Sequence, residues 1–254
     1  MKLARSFYLF ATIGLFMLYS GHVASGEIRV AVASNFSPVM KSLAKRFEAN
    51  THHTITLIFG STGKHYAQIK HGAPFHAFFS ADAERATRLE EEGDAVAGSR
   101  FTYAIGHIVL WSPETDYIDA NGKVLESTRY RHLAIANPKL APYGKAAQEV
   151  LQTMGLWSAK QASLVRGENI GQTFQFVKSG NAELGFIAYS QIKKPEQFEQ
   201  KIAGSLWLIP KQLYTPILQQ AVLLQDNPIA REFLSFVKSE ASQSIIQAYG
   251  YSTP

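Results

Sequence analysis

The chain of 254 residues contains no cysteine. That excludes a disulfide framework, a thiolate metal site and a cysteine nucleophile. Exported bacterial proteins can do without cysteine, so its absence leaves the compartment open. Beyond the first twenty-five residues no apolar run is long enough to cross a membrane. No Gly-x-Ser-x-Gly elbow occurs, and no helical His-x-x-x-His pair carries a glutamate between its members. The histidines at 52, 53, 65, 71 and 76 therefore read as a solvated surface and not as metal ligands. There is no dense Arg/Lys stripe with interleaved aromatics, so nucleic acid is not an expected partner. Internal repeats and low-complexity tracts are also missing. The segment Gly60-Ser61-Thr62-Gly63-Lys64 looks in part like a phosphate loop, but the full pattern needs glycine and a hydroxyl where Ile58 and His65 stand.

What is present is an ordinary globular composition, with 46% hydrophobic and 18% charged residues. The length suits one large domain or two small lobes. Lys2 and Arg5 precede a mostly apolar stretch from Phe7 to Tyr19, and Val23-Ala24-Ser25 supplies small residues for cleavage. Residues 1–25 thus read as a secretory signal peptide, with the mature chain beginning near Gly26. No cysteine follows, so a lipoprotein is not expected. The formal charge of +5 includes two from Lys2 and Arg5. The remaining mild excess is a slight aid to anion encounter at most.

Strand and helix signals alternate along the chain. Glu27 to Ala33 is predicted as a strand, and Ser37-Pro38 as the start of a helix reaching about Asn50. Thr54 to Phe59 and Phe75 to Ser80 are further strands, and Asp82 is placed to cap the helix after the latter. This alternation predicts a parallel α/β sheet. Tyr103 to Trp111 reads as one long strand crossing into a second lobe, and Ile217 to Leu224 as a strand returning to the first. The expected division is 26–108 plus 213–254 for lobe 1 and 109–212 for lobe 2, with a ligand cleft between them.

Four turns recur at strand-to-helix junctions: Ser34-Asn35, Ser61-Thr62-Gly63, Pro142-Tyr143-Gly144 and Asn169-Ile170-Gly171. Such junctions lie at the carboxyl ends of strands. They offer unpaired N–H groups, helix dipoles and rotatable hydroxyls, which suit an anion. Each turn taken singly reads better as an ordinary helix cap or loop. Their recurrence, two from each lobe, is what points to a shared site.

Several segments, in this order and spacing, resemble the periplasmic molybdate-binding proteins of ABC importers. They are Ala33-Ser34-Asn35-Phe36, Gly60 to Lys64, Gly72-Ala73-Pro74 with Phe79 to Asp82, Arg100 to Gly106, Asn137-Pro138 with Ala141 to Gly144, and Asn181 to Phe186. The resemblance implies a type II periplasmic-binding-protein fold, each lobe a mixed sheet flanked by helices. It implies capture of molybdate or tungstate, a periplasmic location, an inner-membrane ABC permease as partner, a monomer, no cofactor and no catalysis. The oxyanion would be held by Ser34 and Asn35, by Thr62 with Ser61 nearby, and by the backbone N–H groups of Tyr143 and Ile170. These residues would touch only the oxygens, with no direct metal ligation. Many members place a tyrosine hydroxyl where Ala188 stands here, and Tyr189 is one residue late. The chain looks like the branch that uses Asn35 instead. Thr62 also stands where serine is commoner.

The chemistry is consistent with that implication. Molybdate is a fully deprotonated tetrahedral dianion, which a cage of donors alone can satisfy. Hydrogen phosphate carries a proton that needs an acceptor. Sulfate meets the same donors and must be rejected by size. A carrier for sulfate or phosphate is the nearest alternative. A periplasmic α/β hydrolase would need a nucleophile with a nearby base, and no such pair stands out. A regulator's sensing domain is disfavoured because an export signal occupies the place of a DNA-binding module.

Overall fold

The computed structural model describes residues 25–193 and 203–254. The predicted signal peptide, apart from Ser25, lies outside the described residues. Among these, no helix is long and apolar enough to cross a membrane.

The first strand, β1 (Glu27–Ala33), buries nearly every residue after Arg29. Such continuous burial is what a parallel strand needs when helices cover both faces of its sheet. Ile28, Val30 and Val32 face one layer, where they meet Val39, Met40, Leu43 and Phe47 of α1 (Ser37–Thr51). Ala31 faces the other, with Ile69 of α2 (Thr62–Lys70) and Leu89 of α3 (Glu84–Glu91). β2 (Thr54–Gly60) and β3 (Ala77–Ser80) flank β1 in parallel. β4 (Phe101–Gly106) completes this half of the chain.

The second half contains β5 (Ile108–Ser112), β6 (Leu133–Ala136), α4 (Pro142–Thr153), α5 (Trp157–Lys160), β7 (Leu164–Gly167), α6 (Ile170–Lys178), β8 (Leu184–Ala188) and β9 (Ser205–Leu208). The chain then returns through β10 (Ile217–Leu223), α7 (Pro228–Lys238) and α8 (Glu240–Ala248). The strand orders are β2-β1-β3-β10-β4 and β7-β6-β8-β5-β9. Both sheets place a parallel trio beside two antiparallel strands, so the lobes share one topology. The sheets are mixed, because each takes in a strand that has just arrived from the other lobe.

Two sequence expectations change here. Tyr103 to Trp111 is not one strand: it breaks at His107, with Gly106 paired to Ile217 in one sheet and Ile108 paired to Ala188 in the other. Ile108, assigned from the sequence to lobe 1, is therefore already in the second sheet. The break is where the backbone changes partners, and the His107 carbonyl accepts the Tyr189 N–H at 2.9 Å. Likewise Ser37 does not cap α1. The chain first makes a 3-10 turn over Ser34–Phe36, and Ser37 is the first residue of the helix, with Pro38 in its first turn.

Gly144 shows how closely α4 sits on its sheet. A Cβ there would fall 2.2 Å from the Ala136 carbonyl oxygen, a backbone atom that cannot rotate away. Gly144→Ala is expected to lower stability by about 1–3 kcal/mol, the usual cost of overpacking, read from urea unfolding midpoints.

Candidate functional site

The carboxyl ends of β1, β2, β6 and β7 each feed a helical turn, and the four turns meet. Ser34, Asn35, Ser61, Thr62, Tyr143 and Ile170 all line one small cavity between the lobes. Every sequence-predicted site residue is thus brought to the same place. Bonds between the lobes hold the turns together: the Gly171 N–H donates to Ser34 Oγ at 3.3 Å, and the Gly63 N–H to the Leu140 carbonyl at 2.8 Å.

The helix beginnings supply donors. The N–H groups of Thr62, Tyr143 and Ile170 stand in the first turns of α2, α4 and α6, where no carbonyl precedes them to accept. None has a backbone acceptor among the described residues. The hydroxyls are oriented as donors too. Thr62 Oγ1 accepts the Ala81 N–H at 3.1 Å, Ser34 Oγ accepts from Gly171, and Ser61 Oγ accepts the Lys64 N–H at 3.4 Å. A hydroxyl that accepts from the backbone keeps its own hydrogen for another group. Ser61 and Asn169 are helix caps as well as cavity residues; Asn169 Oδ1 accepts from Gln172 at 3.0 Å.

Asn35 departs from the expected role. Its Nδ2 donates to Gln219 Oε1 at 2.7 Å and to the Tyr251 hydroxyl at 3.0 Å, so both amide hydrogens bind protein. What it offers the cavity is its backbone N–H in the 3-10 turn. Tyr189 opens a short 3-10 turn after β8 and packs beside Gly250, away from the cavity lining.

No charged side chain lines the cavity among the described residues. Charges stand further out. Lys64 and Glu168, on opposite lobes, pair at 3.2 Å, but with 52% and 44% of each side chain exposed the pair is worth about 1 kcal/mol or less. A wider groove lined by Arg85, Lys145 and Glu149 shares Ala81 and Pro142 with the cavity. Among the described residues no group of three or more histidines or carboxylates could hold a metal ion.

His65 corrects the solvated reading of the histidines. It is 1% exposed, behind Gly60, with Nε2 3.2 Å from the Val32 carbonyl. Burial, which disfavours the cation, holds its pKa below the ordinary 6.5 and outweighs the hydrogen bonds to Gln68 and Val32. The half-buried His107 is shifted in the same direction, also chiefly by burial. Below about pH 6.5 the unfolded chain then binds protons that the folded chain refuses, so stability falls as pH falls. Unfolding midpoints between pH 7.5 and 5.5 are expected to decline, with a shallower slope in His65→Gln.

The residues that sequence reading missed lie behind the cavity: Tyr103, Ser190, Gln219 and Tyr251. Each hydrogen-bonds partners at least 23 residues away, and in most cases more than a hundred. No local spacing announces such contacts.

The family model described as bacterial extracellular solute-binding protein matches residues 28–252. The chain belongs to that family. Among members, this solute-binding protein is 48% identical over 230 residues to the molybdate-binding protein ModA of Azotobacter vinelandii, covering 89% of this chain and 90% of the relative. It is 46% identical over 233 residues to ModA of Rhodobacter capsulatus, covering 91% and 90%. Its fold is similar to that of the solved Azotobacter vinelandii periplasmic molybdate-binding protein, with a TM-score of 0.86, 41% identity, and coverage of 89% of this chain and 99% of that one.

Proposed function

We propose that this solute-binding protein captures molybdate or tungstate in the periplasm, after removal of its leader, and delivers it to an inner-membrane ABC permease. The observation that carries this reading is the meeting of uncharged donors from both lobes in a cavity without a carboxylate. Backbone N–H groups of Asn35, Thr62, Tyr143 and Ile170, with the hydroxyls of Ser34, Ser61 and Thr62, would hold the four oxygens. Helix ends supply the compensating field, and no arginine or lysine is needed in contact. Contact would be to oxygen only, without direct metal ligation, and the role calls for no cofactor. The similarity to two ModA proteins supports the choice of oxyanion.

The same geometry supports a binding role. A serine or threonine nucleophile must donate to a base. Each hydroxyl here has a hydrogen to donate, and the residues lining the cavity include no histidine or carboxylate to receive it. The role suits a monomer, since one chain supplies both halves of the cavity.

Thermal unfolding with four oxyanions tests the reading. Molybdate and tungstate are expected to raise the midpoint strongly, because ligand at a hundred times its Kd adds about 2.7 kcal/mol. Sulfate and phosphate should add little. Equal protection by sulfate would overturn the assignment.

A further inference from the structure

Gln219 is fully buried on β10, the strand that re-enters lobe 1. Its position in the sheet is irregular. Gln219 pairs with Ala104 and Gln220 with Thr102, so Tyr103 is an extra residue in the ladder. A bulge of this kind re-aims side chains. Here the Tyr103 hydroxyl and the Gln219 carboxamide meet at 3.0 Å.

The carboxamide is bonded on both sides. Oε1 accepts from Asn35 Nδ2 at 2.7 Å and from Tyr103, while Nε2 donates to the Tyr143 hydroxyl at 3.3 Å. Asn35 belongs to lobe 1 and Tyr143 to lobe 2, and both line the oxyanion cavity. One amide thus links the two walls. Gly106 leaves room for the link: a Cβ there would fall 2.2 Å from the Tyr143 hydroxyl and 2.7 Å from Gln219 Nε2. A second bridge runs beside it. Ser190 Oγ, from lobe 2, donates to the Tyr251 hydroxyl at 2.8 Å, and that hydroxyl donates to the Asn35 carbonyl at 2.9 Å.

We infer that Gln219 is the positioning residue that sets the width of the oxyanion cavity, and so its discrimination between molybdate and the smaller sulfate. This rests on the function proposed above. Donors alone do not separate two tetrahedral dianions; the distance between the walls does. That distance is set by a short, buried chain of hydrogen bonds from Asn35 through Gln219 to Tyr143. In a site removed from water such a chain is stiff, because breaking any link leaves a buried polar group unpaired.

The experiment is calorimetric titration of the full mature chain with molybdate and with sulfate. The variants are Gln219→Met and Tyr143→Phe. Tyr143→Phe removes only the accepting hydroxyl and keeps the backbone N–H in the cavity, so it decides the matter if Gln219→Met fails to fold. Both are expected to weaken molybdate at least tenfold and to leave sulfate within about twofold, so that the preference ratio falls at least about fivefold. A merely structural role would lower the unfolding temperature and leave that ratio alone. Tyr130→Phe is the control: it loses a buried hydroxyl bonded to the Leu125 carbonyl and should keep the wild-type ratio. An unchanged ratio in Tyr143→Phe overturns the inference while the proposed function stands. A wild-type chain that binds neither anion, or does not prefer molybdate, overturns both.

Discussion

Thr62→Ala is expected to weaken molybdate binding by about ten- to a hundredfold and to destabilise the fold as well. Two separate losses combine. The first is a hydrogen bond to a charged acceptor, worth about 1.5–3 kcal/mol. The second does not involve the ligand. Thr62 is 1% exposed, and its Oγ1 accepts the N–H of Ala81, itself buried. With the hydroxyl gone, that N–H has no partner, at a cost of about 1–3 kcal/mol. Calorimetric titration reads the first loss and urea unfolding of the ligand-free chain the second. Thr62→Ser keeps both bonds and should bind almost as wild type does. An alanine variant with unchanged affinity would mean that the site lies elsewhere.

Phe36→Ala is expected to give the largest loss of stability. The ring is fully buried, with centroids 4.7 Å from Tyr103 and 5.3 Å from Tyr251. Truncating a buried phenylalanine costs about 3–5 kcal/mol, from lost transfer energy and the cavity left behind. The position matters for function too. Phe36 closes the 3-10 turn that carries Ser34 and Asn35. Its ring anchors that turn against the same two tyrosines whose hydroxyls belong to the network behind the cavity. The variant should therefore lose affinity along with stability, while Phe36→Leu, which refills most of the volume, should recover much of both. Denaturant midpoints with and without molybdate separate the two effects. Full affinity in a destabilised Phe36→Ala chain would show that the turn keeps its shape without the ring.

How much of this was legible follows from the range of each interaction. Caps act over three residues, so Ser61 before α2, Asn169 before α6 and Asn227 before α7 could be read from the chain, and each cap bond is present. Asp82 stands one residue before the cap position of α3, which is Ala83, though its Oδ1 does accept the Arg85 N–H at 3.0 Å. Short apolar and β-branched runs bounded by turn residues are local signals as well, so the strands that carry the turns could also be read. The crossing between lobes over Tyr103 to Trp111 could be read too, but the break at His107 could not, because an extended run carries no local sign of where its backbone changes sheets.

Sequence alone determined the elements, the junctions and the kind of group each junction presents, because these depend on neighbours within one helical turn. Tertiary structure decided which hydrogens remain unpaired. Asn35 gives its amide to Gln219, 184 positions away, and only its backbone N–H is left for a ligand. His65 is buried behind Gly60, where its sequence neighbours suggested solvent. Both outcomes depend on which distant strand packs alongside, a matter settled by two sheets exchanging strands and not by any local pattern.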